Sequence, residues 1–176
     1  VEAFGVFCYN RTKDDRKGGC AGVVRRDFLT ENEVIQGVEN FLIQKGRTAR
    51  KRVVCKADAA KKEHGVDLVV TLGNNRYLIE AKGNLKADGT VMKSSRNTNF
   101  RWLLSQILLR IDVDPRQYSY NYGIAMPRSD IDACRALIRQ NWALKHLKIR
   151  LYGAFYENGE LTAVEYRPNE LYDKQL

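Results

Sequence analysis

Asp67, Glu80 and Lys82 are two acids and a base that a single hairpin could bring to one place. Two carboxylates and a lysine set among valines, leucines and isoleucines are costly to hold unless something binds there. Carboxylate oxygens of this kind suit Mg²⁺ or Mn²⁺, hard cations that keep several waters and complete their shell with substrate phosphate. A protonated lysine is no ligand for such a cation. It could orient an attacking water or stabilise negative charge building on a phosphorus centre. That division of labour fits metal-assisted phosphodiester hydrolysis. The bland reading is a structural ion pair on the face of a hairpin, worth at most about 1 kcal/mol.

The hairpin itself has to bring the three together. Val66–Leu72 and Arg76–Ala81 are β-rich runs separated by Gly73-Asn74-Asn75, a hairpin signal. A two- or four-residue loop centred on Asn74-Asn75 puts Asp67 opposite Lys82 and Val69 opposite Glu80, all three functional groups on one face. A three-residue loop would turn Asp67 to the other face.

Around this hairpin the elements read in order. Thr30 and Glu33 form a capping box that opens a helix running to Gly46, with Val34, Val38, Phe41 and Leu42 at helical spacing. Arg52–Lys56 reads as a short strand and Asp58–His64 as a polar loop. After the hairpin, Gly83–Thr98 is a long polar and basic stretch, followed by a second helix from about Asn99 to Ile111. Tyr118–Met126 is a strand that ends at Pro127. Ser129 is expected to cap a third helix with Asp132 at the capping-box position, Ile131, Cys134, Leu137 and Ile138 facing inward. Ile149–Tyr156 and Leu161–Tyr166 flank Asn158-Gly159, a tight-turn dipeptide. The expected fold class is α/β, with a mixed sheet flanked by helices and a closing hairpin near the C-terminus.

Composition narrows the partners. The chain has 176 residues and a formal net charge of +9, with Lys and Arg clustered at 47–52, 56–62 and 82–101, a balance that favours polyanions, nucleic acid first. No apolar run approaches the roughly 18 residues of a membrane span. Nor is there a charged-then-apolar start of signal-peptide type, so a cytoplasmic place is expected. Cys8, Cys20, Cys55 and Cys134 stand far apart with no paired ligand spacing, and His64 and His146 do not supply it. Structural zinc is therefore not expected. Cys134 is expected as a buried thiol. Residues 1–28 read as an arm or hairpin, and 29–176 as a single domain.

The segments Gly65-Val66-Asp67-Leu68-Val69-Val70 and Tyr77-Leu78-Ile79-Glu80-Ala81-Lys82-Gly83 resemble the PD-(D/E)xK nuclease superfamily, with its restriction-endonuclease-like αβββαβ core. The resemblance extends over about residues 30–166. Val66 stands where the family name has proline. The resemblance implies that Asp67 and Glu80 bind the catalytic metal and that Lys82 assists the water. It also implies an acidic metal ligand in the preceding helix, Glu33 with Glu39 as the alternative, and a catalytic glutamine on the following helix, Gln106. The expected activity is a Mg²⁺- or Mn²⁺-dependent endonuclease acting on DNA, RNA being the lesser substrate. A homodimer is one expectation, since a double-strand cut needs two sites. Lys86, Lys93, Arg96 and Arg101 would grip backbone phosphates, with Arg110 also in reach of substrate, while Asn97, Asn99 and Trp102 could read or stack on bases. The alternative is a non-catalytic nucleic-acid-binding or assembly subunit on the same fold.

Overall fold

A computed structural model of the chain describes residues 27–57, 66–111 and 119–166, with the side chains of 53–57 outside that description. The expected arm, apart from residues 27 and 28, and the loop Asp58–His64 lie outside the described residues. The described elements are α1 (Glu31–Thr48), β1 (Val53–Ala57), β2 (Leu68–Leu72), β3 (Asn75–Ala81), α2 (Arg96–Leu108), β4 (Ser119–Pro127), α3 (Arg128–Ala133), α4 (Arg135–Gln140), α5 (Trp142–His146), β5 (Arg150–Glu157) and β6 (Glu160–Tyr166).

The six strands lie in one sheet in chain order. The pairs β1–β2, β2–β3 and β5–β6 are antiparallel, while β3–β4 and β4–β5 are parallel. Parallel neighbours need a crossover, and α2 and then α3–α5 supply the two. Strand alternation sorts the side chains into two cores. Leu68, Val70, Leu72, Tyr77, Ile79, Ala81, Ala125, Tyr152 and Ala154 pack with Val34, Ile35, Val38 and Leu42 of α1. On the opposite face, Ile124, Met126 and Leu151 pack with Phe100, Leu103 and Ile107 of α2 and with Ile131, Cys134, Ile138 and Leu144 beyond β4. The result is a three-layer α/β/α arrangement with a mixed sheet. No helix among the described residues is long and apolar enough to cross a membrane.

Local chemistry explains most boundaries. The capping box at α1 is present: Thr30 Oγ1 accepts from the Glu33 N–H, and the Glu33 carboxylate accepts from the Thr30 N–H at 2.7 Å. The closing hairpin turns through Asn158 (φ 52°) and Gly159 (φ 84°), both left-handed as a type I′ turn requires.

Three expectations are corrected. Helix α2 begins at Arg96, not Asn99, because Ser95 caps it by accepting from the Thr98 N–H at 3.1 Å. Its first turn faces largely outward, so the apolar pattern starts late. Ser129 caps nothing: Arg128 starts α3 directly after Pro127, and Ser129 Oγ accepts instead from the Asp27 N–H at 3.1 Å. Asp132 pairs with Arg135 at 2.8 Å rather than closing a box, and the single third helix is three short ones. Ile131, Cys134 and Ile138 are nevertheless buried, as their spacing implied. Burial pushes the Cys134 thiol up to about 11, which keeps it an inert packing group.

The third correction is the register of the central hairpin. Leu72 pairs with Asn75 and Val69 with Leu78, so the loop is Gly73-Asn74. Gly73 supplies a positive φ of 60°. Pairing is thus shifted by two residues from the expected one, and a shift of two preserves which face each side chain takes. Continued one step past Leu68↔Ile79, it sets Asp67 opposite Glu80 rather than opposite Lys82.

Candidate active site

Asp67 and Glu80 lie where β2 begins and β3 ends, on the sheet face covered by α2. Asp67 Oδ2 accepts from the Ala81 N–H at 2.8 Å, which holds the carboxylate beside its neighbour. Glu80 is 2% exposed. Its Oε1 accepts from Arg110 Nε at 3.1 Å. Burial, followed by the charge of Asp67 and a hydrogen bond with it, pushes the Glu80 carboxyl up to about 7, against the opposing pull of Arg110. A neighbouring carboxylate charge disfavours ionisation of the buried Glu80 carboxyl.

Lys82 continues the same strand, and its backbone N–H donates to the Ala125 carbonyl at 3.0 Å. Its ammonium sits 2.8 Å from Glu31 Oε2, both side chains being partly exposed. Glu31 is the first residue of α1, so the N-terminus of that helix and the C-terminal end of β3 meet here. They meet because Gly83 has no side chain: a Cβ there would lie 2.5 Å from Glu31 N, Leu29 O and Thr30 C. Nothing larger than glycine fits this crossing without displacing backbone.

A buried polar clamp fixes that crossing. The Asn84 and Leu85 N–H groups donate to the Leu29 carbonyl. The Asn84 side chain accepts from the Leu29 N–H at 2.9 Å and donates to the Asp27 carbonyl at 2.8 Å and to Asp130 Oδ2 at 3.1 Å. Arg96 Nε in turn lies 3.1 Å from Asp130 Oδ1. Asn84 and Asp130 are almost fully buried, so the segment before α1, the stretch after β3 and α3 are tied at one point.

The structure therefore brings Asp67 and Glu80 into contact and sets Lys82 two residues along on the same strand end. Glu33 is engaged at the α1 cap with Thr30, and Tyr156 Oη donates to its Oε1 at 3.0 Å. Those hydrogen bonds hold its carboxyl below the usual range despite partial burial. Glu39 lies on the exposed side of α1 with Gln36. Among the described residues no three carboxylate, imidazole or thiolate groups gather as a ready metal cage, so Asp67, Glu80 and Glu33 are not a preassembled trio. Gln106 is half-buried on α2, one turn before Arg110. Of the five candidate phosphate-binding residues, Lys86, Lys93 and Arg101 are exposed, whereas Arg96 is engaged by Asp130 and Arg110 by Glu80.

Sequence reasoning missed Glu31, Asn84 and Asp130. Glu31 carries no signal beyond being acidic in a first helical turn. Asn84 and Asp130 act through partners 46 to 57 residues away, beyond any local pattern. Gly83, immediately after Lys82, was the one available hint of a close backbone approach.

No family model matches the chain, and no curated protein or solved structure matches it.

Proposed function

We propose that this protein is a metal-dependent nuclease of the PD-(D/E)xK type, cleaving phosphodiester bonds in DNA with Asp67, Glu80 and Lys82 as its working residues. The observation that carries the reading is the close pairing of Asp67 with the buried Glu80 carboxyl, with Lys82 at the same strand end. A buried carboxyl held near 7 beside a second carboxylate is an arrangement that a divalent cation relieves. The donor set suits Mg²⁺ or Mn²⁺, which need only one or two protein carboxylates when phosphate and water supply the rest. Asp67 and Glu80 would hold the ion, and when bound it would neutralise charge on a scissile phosphate and lower the pKa of a coordinated water.

The chain's own groups do the rest. Asp67 is aimed by the Ala81 N–H, so its position is set by the sheet itself. Arg110 anchors the Glu80 carboxyl from the end of α2. The Lys82 ammonium, steadied by Glu31, donates hydrogen bonds to the attacking water or to the phosphoryl oxygens as charge accumulates there. Exposed Lys86, Lys93 and Arg101 add sequence-independent affinity for the backbone.

Supercoiled plasmid incubated with the protein tests this. Nicking or linearisation is expected with Mg²⁺ or Mn²⁺ and none with EDTA. Salt-sensitive DNA binding with no cleavage in either metal would favour the non-catalytic binding role instead.

A further inference from the structure

Trp102 and Gln106 stand four residues apart on α2, and Arg110, four residues further on, follows its C-cap Leu109. Residues so spaced lie one above another on a single flank of a helix. At about 1.5 Å per residue Trp102 and Gln106 are roughly 6 Å apart along the helix axis, and the turn after it carries the row on to Arg110. One end is Arg110, on Glu80. The other is Trp102, a residue 60% exposed.

An exposed tryptophan beside an exposed cation, Arg101, has the two features a nucleotide needs: a π-face for the base and a charge for the phosphate. Lys93, just before the helix, extends the positive charge. The net charge of +9 argues for a polyanion rather than an apolar protein partner on this flank. Bases inside a duplex are already stacked on their neighbours and present only their edges. A side chain offering a flat face is therefore matched to an unpaired base.

We propose that this flank of α2 is a track for an unpaired nucleic-acid strand, with a base stacked on Trp102 and the backbone running past Gln106 toward Glu80. The track's direction toward Glu80 rests on the nuclease reading above, and the substrate class it adds is single-stranded or locally frayed DNA. Its binding half is independent of cleavage.

The chain has two tryptophans, Trp102 and Trp142. Trp142 lies on α5 against His146, 70% exposed, so Trp142→Phe is a mild change that leaves Trp102 as the sole indole reporter. With this variant in EDTA at low salt, titration with oligo-dT is expected to quench the indole fluorescence saturably. Fluorescence anisotropy of labelled strands should show Trp102→Ala losing about 10- to 100-fold in affinity for oligo-dT, Trp102→Tyr recovering most of it, and duplex affinity changing less than about threefold.

Binding of oligo-dT without quenching would overturn the track, as would equal losses on single strands and duplex. Absence of single-strand binding, or burial of Trp102 by self-association in sedimentation, would do the same. Because these measurements are made without metal, metal-dependent cleavage that persists without quenching removes the track and leaves the nuclease reading standing. Quenching without any cleavage does the reverse.

Discussion

Glu80→Gln is expected to abolish metal-dependent cleavage while making the metal-free protein more stable at pH 8. Both effects come from one group. The Glu80 carboxyl sits near 7 instead of 4.5 because of its burial and because of Asp67. Between those two values the unfolded chain releases the proton and the native protein keeps it. Stability therefore falls as pH rises through this window and levels off above about 7. The total is on the order of 3 kcal/mol. Glutamine is nearly isosteric and carries no charge, so it escapes this loss, although it trades a charged partner of Arg110 for a neutral one. A net gain of about 1–3 kcal/mol at pH 8 is expected, shrinking toward zero near pH 5. Urea denaturation of both proteins at the two pH values, in EDTA, measures it. A variant less stable than the parent at pH 8 would show that Glu80 is a structural ion-pair partner of Arg110 instead. Cleavage, in contrast, should fall by at least about 10³-fold, since removing a charged ligand forfeits several kcal/mol of transition-state stabilisation.

Lys82→Ala should lower cleavage by roughly 10²- to 10³-fold while leaving stability and DNA binding nearly unchanged. The Lys82–Glu31 pair is partly exposed on both sides, 31% and 39%. Its loss should cost no more than about 1 kcal/mol. The ammonium contributes little to a ground state held by several other cations, but it is placed to act on charge that appears only in the transition state. Single-turnover cleavage, thermal denaturation and equilibrium binding separate the three quantities. Normal turnover by the variant would remove Lys82 from the reaction. A parallel fall in melting temperature and activity would make the lysine a structural residue.

What could be read from the sequence follows how local each determinant is. Thr30 and Glu33 lie three residues apart and report the start of α1 without tertiary help. Asn158-Gly159 defines its turn because few residue pairs tolerate two positive φ angles. The central hairpin was harder, since Gly73-Asn74-Asn75 offers two overlapping tight turns. Glycine's tolerance of positive φ settled it on Gly73-Asn74, and the site face survived because the two alternatives differ by two residues. Ser129 was misread because its hydroxyl faces Asp27, 102 residues earlier. The same limit hid Glu31: nothing near it in the chain says that the start of α1 will cross the end of β3 at Gly83. Glu33 drew notice for an acidic type and a helical position, which are also what a capping box requires.

Calorimetric titration of Mn²⁺ into the metal-free protein near pH 7, in two buffers of different ionisation enthalpy, tests most directly whether Asp67 and Glu80 together hold a divalent cation. The expected result is binding with release of about half a proton per ion, tighter at pH 8 than at pH 6, as a carboxyl near 7 must be ionised to coordinate. Glu80→Gln and Asp67→Asn should each weaken it strongly. Binding that is independent of pH and unchanged in both variants would place any metal away from Asp67 and Glu80.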